Sequence, residues 1–205
     1  MYVRTLYITA DPADVGSALD VIAKAVPGMM AEQAGFHGIG IFADRAVGKI
    51  ITGSWWEDEK ALKESDAKLR DRRMEMLAPF VSTIAAANME AVAYTRPASA
   101  TSGGIRLVRF ALDPKKADDL VQLFKKNALP RMQTIDGFEG ASLLLDREHH
   151  MASIGVIFRD MEALAASRSP QAAARKAGMD QLKDVQLIAL EELEVVELDI
   201  PTPKK

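Results

Sequence analysis

The sequence predicts an α+β fold in which two βαββαβ copies in one chain pack as an intramolecular pseudo-dimeric α+β barrel. The first observation is an internal repeat, because Asp11-Pro12, Gly35-Phe36-x-Gly38 and Asp44-Arg45 each recur 102 residues later. The second is the pattern of apolar residues, which in each copy indicates strand, helix, strand, strand, helix, strand. The third is physical: helices cover one face of such a sheet, and a second copy can cover the other.

Composition is that of an ordinary globular chain. The 205 residues are 48% hydrophobic and 27% charged, and 26 Lys and Arg stand against 29 Asp and Glu. This balance provides no basic field for phosphates, so we expect no nucleic-acid partner. The absence of Cys excludes thiolate nucleophiles, iron–sulfur clusters, thiolate zinc sites and disulfides.

The beginning of the chain predicts the compartment. Residues 1–9 contain Arg4 and alternate in polarity where a secretory signal has an apolar stretch. The longest stretch without Asp, Glu, Lys or Arg, residues 76–89, is shorter than the roughly 20 residues that span a bilayer. We therefore expect a cytoplasmic protein without a membrane partner.

Composition also predicts the boundaries between the copies. Residues 96–104 are small and polar and contain Pro and Gly, as linkers do. We therefore assign the following segments: first copy 1–96, linker 97–104, second copy 105–200 and tail 201–205.

The first half of each copy is predicted from its Asp-Pro pair. Strands at 3–9 and 105–112 lead into this pair, in which Asp can accept first-turn N–H groups and Pro fits the first helical position. Pro27 and Pro130 predict a kink or break late in the first helices. The helical stripe that follows the first pair is Val15, Leu19, Ile22, Val26 and Met30.

The second half of each copy begins at Gly-Phe-x-Gly, which opens the second strand. Asp58 and Asp160 are the predicted caps of the second helices, and Ser169-Pro170 predicts a break in the later one. Hairpin turns at 44–49 and 146–150 are expected to join the second strands to third strands at 50–56 and 152–158, and the last strands are expected at 86–94 and 186–198.

These motifs resemble a known family. Gly-Ser-Trp-Trp-Glu-Asp-Glu-Lys-Ala-Leu at 53–62, together with the Asp-Pro helix start and Gly-Phe-x-Gly, resembles the antibiotic-biosynthesis-monooxygenase-like domains of the dimeric α+β barrel superfamily. The resemblance covers residues 2–95 and, less sharply, 105–198. It implies ferredoxin-like βαββαβ repeats, and it is shared by cofactor-independent oxygenases of quinol-like polyketides, haem-degrading enzymes and domains without a known reaction.

The haem-degrading branch, as the resemblance implies, uses an Asn on strand one, a Trp at the end of strand three and an axial His on the second helix. Here Tyr7 and Arg109 take the Asn position, and Trp56 and Phe158 take the Trp position. The three His of the chain lie outside both second helices. We therefore expect no haem, no metal site and no other cofactor.

Four residues are candidates for substrate binding: Tyr7, Trp56, His37 and Arg109. Trp56 and Tyr7 could line a pocket between sheet and helices, or both could be core aromatics. Arg109 lies in an apolar strand and needs a partner, for which a structural ion pair is favoured over an anionic ligand. His37 is interpreted as a polar group at a strand edge or as a general base. No catalytic residue is assigned.

Two functions fit these observations. The first is a cofactor-independent monooxygenase-like protein acting on a small aromatic or quinol/polyketide-like substrate in the first copy, with the second copy as a structural partner. The second is a non-catalytic ligand-binding or stress-associated barrel. Both make a small apolar or aromatic molecule the expected partner, and both leave open a homo-oligomer of the pseudo-dimer.

Overall fold

The structure is a computed structural model that describes residues 1–97, 103–183 and 185–203. Residues 98–102 of the predicted linker and residues 204–205 of the predicted tail lie outside this range. The elements of the first copy are β1 Tyr2–Ala10, α1 Val15–Ala31, β2 Phe36–Asp44, β3 Lys49–Trp56, α2 Glu59–Leu77 and β4 Val81–Tyr94.

The second copy repeats this order with divided helices. Its strands are β5 Gly104–Ala111, β6 Phe138–Asp146, β7 Met151–Phe158 and β8 Gln186–Asp199. Its first helical segment consists of a 3-10 turn Pro114–Lys116, α3 Ala117–Leu123, a π-helix Phe124–Ala128 and α4 Leu129–Met132. Its second consists of α5 Met161–Ala166 and α6 Arg168–Leu182.

Strand pairing confirms the predicted fold class. Along the described residues the strands are hydrogen-bonded in the closed order β1-β3-β2-β8-β5-β7-β6-β4. The chain divides into two compact units, one of Met1–Met89 and Val195–Pro201 and one of Glu90–Glu194 and the chain end. Each unit therefore contains the strands and helices of one copy, with the last strand of each copy divided between the units.

The first unit is built on the antiparallel pairs β1 with β3 and β3 with β2. The apolar stripe of α1 is buried against this sheet, as its spacing predicts. The core includes Leu6 and Ile8 from β1, Ile22 from α1, Trp56 from β3 and Leu62 from α2.

The second unit pairs β5 with β7 and β8, β7 with β6, and β6 with the last residues of β4. Its core packs Val108 and Phe110 of β5 against Leu120 and Phe124 of the first helical segment. Leu164 of α5 completes the same cluster.

The repeated Gly-Phe-x-Gly motif is explained by two different steric needs. Gly35 and Gly137 both have φ +76°, and a Cβ there would come within 2.7 and 2.5 Å of the Cβ atoms of Ala61 and Ala163. The second glycine of each motif follows a register shift, between Phe36 and Gly38 and between Phe138 and Gly140. A Cβ on Gly38 would lie 2.1 Å from the Asp199 carbonyl oxygen. The motif therefore sets the turn and the bulge that begin the second strand.

Helix caps follow the prediction at the second helices and differ at the first. Asp58 and Asp160 accept from the N–H groups of Ala61 and Ala163 at 2.8 and 2.7 Å. Asp11 instead accepts from Ala13 N–H at 2.9 Å in a turn, and α1 begins only at Val15. The Asp-Pro pair of the first copy therefore forms a turn before the helix, whereas the pair of the second copy opens the 3-10 turn.

The prolines act differently in the two copies. Pro27 lies inside the continuous helix α1, so the predicted break is absent there. Pro130 lies at the start of α4, directly after the π-helix, so the first helical segment of the second copy changes helix type there but continues without a non-helical residue. The break predicted at Ser169-Pro170 occurs at Ser167, and Pro170 is accommodated in the first turn of α6.

Within the described part of the chain, no helix combines the length and the apolar character that crossing a bilayer would need.

Candidate functional site

A cavity of about 100 Å³ lies in the second unit, between its sheet and its helices. Strands β5 and β7 form its floor, and the π-helix, α4 and α6 form its walls. Most of its lining is apolar, including Val108, Phe110, Phe124, Met132, Ile154 and Met179. A mainly apolar cavity with a few polar groups is the usual form of a small-molecule site.

Short side chains on α6 help to create this space. Ala174, Ala177 and Gly178 all line the cavity. Gly178 corresponds, 102 residues earlier, to Met76, which packs against the core of the first unit. Gly178 therefore contributes no side chain to the wall of the second cavity.

The equivalent place in the first unit is nearly filled. Its cavity measures about 20 Å³ and is lined by Leu6, Ile8 and Ile22, the counterparts of Val108, Phe110 and Phe124. A single water needs roughly 10–15 Å³. At this place the first copy therefore has room for one water, whereas the second copy has room for part of a ligand.

Two polar side chains on α6 line the second cavity and have donor groups without a partner among the described residues. Gln171 is 6% exposed, and its amide nitrogen has no hydrogen-bond acceptor among the described residues. Arg175 also lines the cavity and forms no ion pair or side-chain hydrogen bond with any residue that the structure describes. Burial lowers the pKa of Arg175, and the charge of Arg106 lowers it further. Both groups can donate hydrogen bonds to a ligand.

A buried arginine lies on the same sheet face in each copy. Arg106 is 2% exposed and donates to Glu192, to Ser167 Oγ and to the Leu164 carbonyl oxygen, with its closest Glu192 contact at 2.6 Å. These contacts tie β5 to β8 and to the α5–α6 junction.

The corresponding Arg4 is 3% exposed and donates to Asn88 Oδ1, Ser65 Oγ and the Leu62 carbonyl oxygen. Burial lowers the pKa of Arg4 to about 10, although the Asp66 charge opposes this shift. The repeat pairs Arg4 with Arg106 and Ser65 with Ser167. The sequence therefore contained the signal for this network, but not which groups the arginines contact.

Comparisons with known proteins bear on the fold of this chain. No protein-family model matches the chain. An uncharacterized protein of Mycobacterium tuberculosis strain H37Rv, Rv2557, is 29% identical over 97% of this chain and 92% of its own length. A proposed monooxygenase of Lactobacillus acidophilus NCFM has a similar structure, with a TM-score of 0.71 at 14% identity over 98% of this chain and 96% of that one. An anthrone oxidase-like protein gives a TM-score of 0.73 at 14% identity, over 97% and 90% of the two chains.

The chain has the fold of monooxygenase-like α+β barrels. The resemblance stated from the sequence motifs is thereby confirmed at the level of the fold. Identities of this size carry no information about the reaction, so the function of this α+β barrel depends on its own residues.

In this α+β barrel, Trp56 and Tyr7 do not share a pocket. Trp56 is fully buried, donates from its ring N–H to Ser54 Oγ at 3.0 Å and packs edge-on against Phe36 at 5.5 Å. It lies opposite Tyr2, whereas Tyr7 lies opposite Ile51 in the same unbroken register. Because side chains alternate along a strand, Tyr7 points to the other face of the sheet. The proposed pairing of these two aromatics is therefore corrected.

His37 and Arg109 are also separated from the second cavity. His37 is exposed on β2 within the register shift. Arg109 forms an ion pair with Glu191 at 3.3 Å, the arrangement that the sequence analysis favoured. It alternates with Val108 and Phe110 and so lies on the opposite face of β5. Among the described residues, no group of three His, Asp or Glu could hold a metal ion.

Proposed function

We propose that the protein is a cofactor-independent, monooxygenase-like protein that binds a small aromatic molecule in the cavity of the second copy. The observation that carries this proposal is the apolar cavity of about 100 Å³ between the second sheet and its helices. The proposal keeps the substrate class inferred from the sequence and moves the site from the first copy to the second.

Without a cofactor, the substrate must supply the electrons for O2. In a hydroxyaromatic with an activated methylene group, the carbon loses two hydrogens and gains one oxygen atom, and the other oxygen atom leaves as water. The protein would hold the flat ring among Phe110, Phe124 and Ile154 and exclude bulk water. Donors such as Gln171 and Arg175 would stabilise the phenolate from which the electrons leave.

One observation favours the second candidate, binding without turnover. No Asp, Glu, His, Lys or Tyr is among the described residues that line the cavity. The wall therefore provides no side chain with an ordinary pKa for removing a substrate proton. A substrate that ionises unaided is compatible with oxygenation, and any other ligand would only be bound.

Methionine methyl NMR with a hydroxyanthrone as ligand tests the proposal. Met132 and Met179 line the second cavity and Met30 lines the first, so anaerobic titration is expected to shift the first two methyl signals and leave that of Met30 unchanged. Oxygen consumption above the buffer rate, with one O2 per substrate, would support oxygenation. Shifts without oxygen consumption would support the binding function, and unchanged Met132 and Met179 signals would overturn both.

A further inference from the structure

The two copies place an arginine at the same position of the second helix, with different partners. Arg73 of α2 donates to Asp66 Oδ1 at 2.9 Å. Its counterpart 102 residues later is Arg175 of α6, and each lines the cavity of its own unit. Asp66 itself corresponds to Arg168. The carboxylate that pairs with the arginine in the first copy is thus replaced by a cation in the second.

In the second copy, the carboxylate that pairs with the buried arginine lies on the last strand, β8. Glu192 accepts from Arg106 and Arg168, each with a closest distance of 2.6 Å. The last strands of the two copies align at an offset of 104 residues, so Asn88 takes the corresponding place in the first copy, where it accepts from Arg4. Glu192 therefore pairs with Arg106 and Arg168. Arg175 forms no ion pair with a carboxylate of the described residues.

The unpaired guanidinium belongs to the cavity wall. Arg175 and Gln171 are four residues apart on α6, which places them on one helix face, and both line the cavity. The exposed Arg131 lines it as well, and no Asp or Glu does so among the described residues. A partly buried cation beside apolar surface is costly unless an anion accompanies it.

We infer that the second cavity selects apolar molecules bearing a delocalised oxyanion, a carboxylate or a phenolate, which Arg175 and the Gln171 amide nitrogen bind. This inference rests on the proposed function, because it assumes that the cavity takes a ligand. The planar guanidinium can donate two parallel hydrogen bonds to such an anion. The apolar body of the ligand then occupies the space lined by Phe110, Phe124 and Met132.

Matched ligands test the charge preference by calorimetry at pH 8. The carboxylate arm compares 2-naphthoate with neutral 2-acetylnaphthalene, and the phenolate arm compares 4-nitrophenolate with neutral 4-nitroanisole. Each anion is expected to bind about 10-fold to 100-fold more tightly than its neutral counterpart. The arm with the larger ratio identifies which oxyanion the cavity prefers.

Arg175→Met keeps the apolar stem and removes the charge. It is expected to abolish the preference for anions while leaving the affinity for the neutral compounds unchanged. Lys176→Met is the matched control, because Lys176 lies next along α6, is 79% exposed and pairs with Asp180 outside the cavity. It removes the same charge and should leave the preference intact.

A second variant retains Arg175 and is informative even if Arg175→Met fails to fold. Arg168→Asp combined with Glu192→Asn transfers the first-copy network into the second copy, so the new carboxylate should pair with Arg175 and abolish the preference for anions. If the neutral compounds bind and neither variant changes the affinity of each anion relative to its neutral counterpart, the inference is overturned and the proposed function stands. If no compound binds and the Met132 and Met179 signals stay unchanged, the proposed function itself fails.

Discussion

Arg106 donates from both Nε and Nη2 to one oxygen of Glu192, at 3.1 and 2.6 Å. Arg106 is almost fully buried, while the Glu192 side chain is 17% exposed. A buried guanidinium that loses its carboxylate keeps its charge and loses charge-assisted hydrogen bonds. Glu192→Gln is therefore expected to lower the free energy of unfolding by about 2 kcal/mol, as measured by urea denaturation.

An exposed ion pair provides the control for Glu192→Gln. Glu64 lies 3.8 Å from Lys60, and both side chains are mostly exposed, so Glu64→Gln should leave stability unchanged. Equal losses in the two variants would show that the Arg106 contact has no special weight in the fold.

Two carboxylates link stability to pH. Hydrogen bonds from Arg168 are the largest influence on Glu192 and hold its pKa below the usual value. Burial alone would raise the pKa of Asp66, but hydrogen bonds from Arg73 and Arg70 outweigh burial and lower it. Because both folded-state pKa values are depressed, their stabilisation is complete above the unfolded values of about 4 and is lost as pH falls through the folded values.

A pH series of urea midpoints checks this dependence. The variant Asp66→Asn with Glu192→Gln is expected to lose less stability between about pH 5 and pH 3 than the wild type does. Glu197 provides the opposite case, because burial and then the charge of Asp199 raise its pKa. Because protonation of Glu197 favours the folded state, Glu197→Gln should lose more stability than the wild type as pH falls. Parallel curves of stability against pH for the wild type, the double variant and Glu197→Gln would contradict these directions of pKa shift.

Trp56 is expected to matter for stability and not for ligand binding. It is fully buried in the first unit and donates to Ser54, so Trp56→Phe leaves a void and an unpaired acceptor, at a cost of about 2 kcal/mol. Both Trp56→Phe and Tyr7→Phe should keep the wild-type affinity for an aromatic ligand in the second cavity. A large loss of affinity in Trp56→Phe, measured by calorimetry, would return the site to the first copy.

The sequence predicted the repeat and the local signals well because both depend on short-range chemistry. Asp58 and Asp160 cap helices through contacts three residues away, and Gly35 is required by a positive φ. The candidate site depends instead on contacts between distant residues, such as Arg106 with Glu192, 86 residues apart. Aligning the copies shows that Asp66 is replaced, but only the folded chain shows that Arg175 then lacks a carboxylate partner among the residues that the structure describes.

Gly178 provides the most direct test of the cavity. A Cβ at this position would lie 3.7 Å from Leu123 Cδ2, an ordinary contact, and Gly178 itself lines the cavity. Gly178→Met adds to the wall the kind of side chain found at Met76, which packs against the core of the first unit. It should lower affinity for an aromatic ligand by about tenfold or more.

Replacing a glycine inside a helix also favours folding by up to about 1 kcal/mol, so thermal stability should be maintained. Gly178→Ala, the matched control, should gain a similar helical preference while keeping ligand affinity close to that of the wild type. Wild-type affinity in a folded Gly178→Met protein would place the ligand outside this cavity.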